Sequence, residues 1–140
     1  MTLRPMTPAD YPAAYALWLA TPGMGMNPRD DAPESIARYL RRNPGTCFVA
    51  EEQGALVGVI LCGHDGRRGF IYHMAVSAVC RRQGVGRRLV EQALAALRRE
   101  GIAKVALVAF ARNAEGNAFW DKLGFSARDD LVYRNLELPG

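Results

Sequence analysis

The sequence predicts an α+β domain built on one mixed β-sheet. Short apolar, β-branched runs and stretches of helical periodicity follow one another in the order βααββ and then βαβαβ. The first block joins its later strands by turns short enough for antiparallel pairing. The second sends a strand through a glycine-punctuated turn into a helix before the next strand, which is the connection of a parallel pair. With 140 residues and 49% apolar composition the chain supports one buried core, so residues 1–140 are expected to form a single domain.

Thr2 to Met6 reads as a short strand. Thr7-Pro8-Ala9-Asp10 is a helix start, with a hydroxyl cap, proline in the first turn and an acidic third position, and the helix runs to about Leu19. A breaker-rich loop from Thr21 to Pro28 follows. The second helix starts after Asp30 or Asp31 and covers Ser35 to Arg42, with Ile36, Tyr39 and Leu40 on one face, until Asn43-Pro44-Gly45 stops it. Thr46 to Glu51 and Ala55 to Cys62 are apolar runs on either side of Glu52-Gln53-Gly54, a hairpin signal. After the turn Gly63 to Gly69, Phe70 to Val76 pairs back. Val85, Leu89, Val90, Ala93, Leu94 and Leu97 form a helical stripe that ends at Gly101 in a left-handed cap. Lys104 to Phe110 is a strand, Ala114 to Leu123 a short helix closed by Gly124, and Leu131 to Leu138 a last strand.

Composition narrows the function classes. No apolar run approaches the ~20 residues of a membrane span, and the N-terminus lacks the charged-then-apolar pattern of a signal peptide, so a cytoplasmic protein without a membrane partner is expected. Cys47, Cys62 and Cys80 are an odd, widely spaced set, which fits reduced thiols better than disulfides or a metal site. The net charge of +4 comes from 18 basic and 14 acidic residues, and without Arg81, Arg82, Arg87 and Arg88 the two signs balance. The excess therefore sits at one turn, as suits a small polyanionic ligand, rather than along an extended face that would track nucleic acid.

That turn is the most informative segment. From Met74 to Leu89 an apolar strand runs into Arg81-Arg82-Gln83-Gly84-Val85-Gly86-Arg87 and then into an amphipathic helix. Glycines let the backbone approach an anion, and the free N–H groups of a first helical turn point at it with the helix dipole behind them. The order Arg81-x-x-Gly84-x-Gly86 at a strand-to-helix junction resembles the pyrophosphate signature of the GNAT superfamily of N-acetyltransferases. Asn113 followed by Phe119-Trp120-Asp-Lys-Leu-Gly-Phe125 resembles the family's second signature, and the turn Cys62 to Gly69 is similar to one in small single-domain bacterial members.

The resemblance covers nearly the whole chain. It implies the GNAT fold, a mixed central sheet flanked by about four helices, in which a splayed strand pair holds acetyl-CoA. It further implies that the pantetheine arm lies between Phe70 to Val76 and Lys104 to Phe110, bound by backbone groups of Met74, Ala75 and Val76. The Met74 N–H is then the oxyanion donor. Gln83, Gly84, Val85, Gly86 and Arg87 supply N–H groups to the pyrophosphate, and the side chains of Arg81, Arg82 and Arg87 are placed to add charge-assisted contacts. Asn113 matches a cofactor-side position, and Asn117 reads equally as a helix-surface residue. The implied activity is transfer of acetyl to the primary amine of a small molecule or peptide by direct attack in a ternary complex. A non-catalytic acyl-CoA-binding module is the other reading, and monomer and homodimer both remain open.

The chain departs from the family where a proton must move. Many members carry a tyrosine acid at the position of Trp120, and an indole N–H donates a hydrogen bond without giving up its proton. Trp120 therefore lines the pantetheine channel or packs against the core. A lysine-like amine, with a pKa near ~10.4, also needs a base or a water relay. Regular alternation puts Phe70, Tyr72 and Met74 on one face and Ile71, His73 and Ala75 on the other. Relatives turn the Tyr72 face to the acceptor, which gives Tyr72 the better position and His73 the more suitable titration range. A core histidine is the plainer reading of His73. His64 and Asp65 form either a polar pair at the acceptor end or a turn-stabilising unit, and Asp30, Asp31 and Glu34 either attract an amine or cap the second helix.

Overall fold

Four strands pair antiparallel in chain order, and the fifth joins the edge in parallel after crossing over through a helix. A computed structural model describes the whole chain, residues 1–140. Its elements are β1 (Thr2–Pro5), a 3-10 turn (Pro8–Asp10), α1 (Tyr11–Leu19), α2 (Pro33–Arg42), β2 (Phe48–Glu52), β3 (Ala55–His64), β4 (Gly69–Val76), a second 3-10 turn (Ala78–Cys80), α3 (Val85–Arg99), β5 (Val105–Leu107) and α4 (Ala114–Lys122). The sheet order is β1-β2-β3-β4-β5, with only the β4–β5 pair parallel. No helix is long and apolar enough to cross a membrane.

The sheet separates two apolar clusters. Val85, Leu89, Val90, Ala93 and Leu97 of α3 bury their stripe against Phe48, Ile60, Cys62 and Ile71 on one face. Ala14 and Trp18 of α1 and Ile36 and Leu40 of α2 cover Val49, Val59, Leu61 and Ala75 on the other. All three cysteines are buried and free. Desolvation pushes the thiols of Cys47 and Cys62 up to about 12, so both stay protonated at neutral pH.

A bulge in β4 breaks the regular alternation. Leu61 pairs with Tyr72 and Val59 with Ala75, so Ile60 alone faces two residues, His73 and Met74. His73 takes φ +44, a left-handed backbone uncommon outside glycine, at the residue that the bulge inserts. The slip shows in the packing: Ile71 belongs to the α3-side cluster and Ala75 to the opposite one, although four residues of regular strand would return them to one face. Tyr72 and Met74 therefore do not share a side. Tyr72 lies edge-on to Tyr39 of α2, His73 rests on Trp18 of α1, and Met74 packs toward α3.

The expected last strand does not form. Leu131 to Leu138 joins no ladder, and Leu131, Val132, Tyr133, Leu136 and Leu138 are all exposed. A strand needs an edge to pair with, and β5, three residues long, offers a short one. The segment is tied instead by Arg29, whose Nη1 donates to the Leu138 carbonyl at 3.1 Å and stands 4.0 Å from the Glu137 carboxylate.

At the N-terminus the first helical stretch divides into the 3-10 turn and α1. Arg4 of β1 grips Asp10 at the junction with two bonds of 2.7 and 2.8 Å and reaches Glu51 of β2 at 2.8 Å. The hydrogen bonds from Arg4, joined by the Thr7 N–H, hold the Asp10 carboxyl below its ordinary range. A depressed carboxyl stabilises the fold above the unfolded-state value and loses that contribution as pH falls through the folded value. Asp10→Asn is expected to cost about 1–2 kcal/mol at pH 7. Its difference from the native protein should shrink on acidification, as read from urea midpoints at pH 7 and pH 3.

Candidate active site

The β4–β5 ladder has three pairs, Gly69 with Val105, Phe70 with Ala106 and Ile71 with Leu107. Beyond Ile71 the two chains part. β4 continues through Met74, Ala75 and Val76 on one side, Phe110 and Arg112 lie on the other, and a cavity of about 920 Å³ opens between them. The opening leads to the N-terminus of α3. Gly84 caps that helix at φ +79, a conformation that costs glycine little, and has no side chain with which to close it. The first bond along the helix runs from the Arg88 N–H to the Gly84 carbonyl, so the N–H groups of Gly84, Val85, Gly86 and Arg87 have no partner in the chain.

Gly86 has a different role from Gly84. A Cβ there would stand 3.2 Å from the Phe119 ring and 3.6 Å from the Met74 terminal methyl, so its absence lets α3 and α4 close on the strand. Arg81, Arg82 and Arg87 line the cavity together with Arg112 and Lys122, against one acid, Glu115. The cavity lining is thus strongly basic. Gln83 does not line it, because its side-chain amide donates to the Val79 carbonyl at 3.3 Å. Asn113 does, and it also caps α4 by accepting from the Gly116 N–H at 3.0 Å. Asn117 instead ties the start of α4 to the Phe110 carbonyl at 3.0 Å. Trp120 both lines the cavity and packs edge-on to Phe119 and Phe125.

A second cavity, of about 420 Å³, lies on the α1/α2 side and is lined by Asn27, Asp30, Asp31, Tyr72 and His73. The two cavities stand back to back across the bulge. Met24 and Met74 line the first, and their chain neighbours Gly25 and His73 line the second. Tyr72 and His73, which regular alternation would separate, face the same space. Burial, with Tyr133 and Asp30 nearby, pushes the Tyr72 phenol above its ordinary range. His73 Nε2 bonds to Asp31 Oδ1 at 2.7 Å. That contact spans 42 positions, and nothing in the local pattern announces it.

The bulge also orients a peptide plane. Trp18 Nε1 donates to the His73 carbonyl at 2.9 Å. No peptide bond in the chain is cis, so the Met74 N–H lies opposite that carbonyl and points away from Trp18.

The structure decides between the alternatives for the flanking loops: His64 and Asp65 stabilise the turn, and of the three acids only Glu34 stands in the first turn of α2. His64 and Asp65 form no pair: His64 Nε2 bonds to Glu100 Oε1 at 2.6 Å while its Nδ1 accepts from the Gly66 N–H, and Asp65 Oδ1 accepts from the Arg67 and Arg68 N–H groups. They pin the β3–β4 turn to the end of α3, outside both cavities. Asp30 and Asp31 do not cap α2, whose N-cap is Ala32, followed by Pro33.

The model of the acetyltransferase (GNAT) family matches residues 12–125. The chain belongs to this family. An acetyltransferase of Yersinia enterocolitica is 26% identical over 132 residues, covering 94% of this chain and 92% of that protein. The Ard1 structure from Thermoplasma volcanium superposes with a TM-score of 0.79 at 25% identity, covering 89% of this chain and 82% of that one. The PaiA N-acetyltransferase of Thermoplasma acidophilum, solved with coenzyme A, shares the fold at a TM-score of 0.77 and 17% identity, covering 91% of each chain. The sheet and four α-helices described above are the GNAT fold, and this GNAT protein is an acetyl-transferring enzyme.

Proposed function

We propose that this acetyltransferase moves acetyl from acetyl-CoA to a primary amine by direct attack in a ternary complex. One observation carries the reading: two cavities of opposite charge lie on either side of the peptide that joins His73 and Met74. The basic cavity, with its unpartnered N–H groups at Gly84 to Arg87, suits the pyrophosphate. The pantetheine arm then runs between β4 and Phe110, past Ala75 and Val76, and brings the thioester carbonyl to the Met74 N–H. That donor stabilises negative charge on oxygen as the carbonyl carbon turns tetrahedral.

The amine comes from the other face. Its cavity carries Asp30 and Asp31 and no lysine or arginine, so it favours a cationic acceptor over one with a carboxylate beside the amine. As the N–C bond forms and the C–S bond breaks, sulfur leaves with its electron pair. With a thiol pKa of roughly 8.5, departure without a dedicated acid is tolerable, which accommodates Trp120 in place of a tyrosine. Free buried thiols fit a reducing, cytoplasmic setting.

The first test is the thermal midpoint with acetyl-CoA, CoA and ATP, followed by thiol release across a panel of amines. The expected result is a larger shift with the CoA compounds than with ATP, about 2.7 kcal/mol at 100 times the dissociation constant. Turnover should be faster with diaminobutane than with free amino acids. No shift from folded protein would overturn the reading, and binding without turnover would mark an acyl-CoA-binding module.

A further inference from the structure

We infer that Asp31 and His73 are the proton-accepting pair of the acceptor cavity, Asp31 holding the imidazole in one tautomer so that Nδ1 takes a proton from the incoming ammonium. The inference rests on the transferase reading and assigns that site its base. Ionised Asp31 is acceptor-only, so the nitrogen facing it, Nε2, carries a hydrogen, and the neutral ring then has a bare lone pair on Nδ1. Nδ1 makes no hydrogen bond within the chain and is not sealed from solvent, and His73 lines the cavity.

The pair is held from every side. Asp31 Oδ2 accepts from the Asn27 N–H at 2.7 Å, the Asp31 N–H donates to the Asn27 carbonyl at 3.0 Å, and the Asp31 carbonyl accepts from the Tyr11 hydroxyl at 2.6 Å. These bonds leave Oδ1 for histidine alone. The imidazole lies 5.0 Å from the Trp18 ring, and its backbone is fixed by the indole N–H. Tyr72, the other candidate in this cavity, has a phenol raised further by burial and forms a wall rather than a base.

The proton count closes. The ammonium gives one proton to Nδ1, and the free amine attacks the carbonyl carbon as described above. The second proton ends on the departing CoA thiolate, and the imidazolium, steadied by Asp31, returns the first to water. His73 is then a catalytic residue and Asp31 a positioning residue.

The test compares native enzyme with Asp31→Asn and His73→Asn, using diaminobutane, phenylethylamine and an alanyl peptide amide as acceptors. Asparagine suits position 73 because it tolerates φ +44 better than most residues. His73→Asn should lower kcat about 100-fold and Asp31→Asn about 10-fold or more, both with unchanged acetyl-CoA affinity. Added imidazole should restore part of the His73→Asn loss. Nitrogen NMR of the two histidines should show Nε2–H at His73 in the native protein and loss of that preference in Asp31→Asn. Variants that keep kcat within twofold, or a native His73 with its hydrogen on Nδ1, would overturn the pair while the transferase reading stands. A native enzyme that binds acetyl-CoA but transfers to none of these amines would overturn both.

Discussion

Gly86→Asp is expected to raise the dissociation constant of acetyl-CoA at least about 100-fold, equivalent to about 2.7 kcal/mol of binding. Two effects act together. The new carboxylate stands among N–H groups that have no partner in the chain and competes for them as an internal anion. Its Cβ also meets the Phe119 ring at 3.2 Å, which pushes α4 outward at the mouth of the cavity. Phe119 is partly buried and its contact is the ring edge, so the fold should survive with a modestly lower thermal midpoint. Calorimetric titration with CoA measures the loss. Affinity within threefold of native would mean that the pyrophosphate does not lie on the α3 N-terminus.

Trp18→Phe should lower kcat about 10- to 100-fold with little change in acetyl-CoA affinity. The indole N–H is the hydrogen bond that holds the His73 carbonyl, and through the shared peptide plane it aims the Met74 N–H. Loss of an oxyanion donor costs about 100- to 1,000-fold, and a donor left in place but free to tilt should cost less. The orphaned carbonyl and the smaller ring also destabilise the fold by about 1–3 kcal/mol, because Trp18 is fully buried. Single-turnover rates at saturating acetyl-CoA, taken well below the variant's melting temperature, separate the two effects. An unchanged rate would show that the donor's direction does not depend on α1.

The turn at the start of α3 was legible because its signals are local. Gly84, Gly86 and the stripe from Val85 to Leu97 sit within one strand-turn-helix unit, and their spacing alone places the unpartnered N–H groups. The Gln83 side chain turns back to Val79, while its N–H, the group expected to face the anion, has no partner in the chain. The second cavity depends on contacts distant in sequence. The bulge at His73 has no glycine or asparagine to mark it, so regular alternation misassigned the faces of Tyr72 and Met74. Asp31 meets His73 only because α1 and the loop after it fold over β4, and Trp18 reaches the His73 carbonyl from 55 positions away. The alternation from Leu131 onward resembled a strand, yet pairing depends on a neighbouring edge, which no pattern within the segment can report.

The division between backbone and side chains carries an evolutionary consequence. The unpartnered groups at Gly84 to Arg87 are amide hydrogens, which every residue except proline supplies. The opposite cavity is lined by side chains, and its two acids, with Asn27, come from the loop around Asn27 to Asp31. Drift in that loop changes what enters the second cavity while the first keeps its chemistry. A lineage built this way can change what one cavity admits in a few steps while the backbone groups of the other stay as they are.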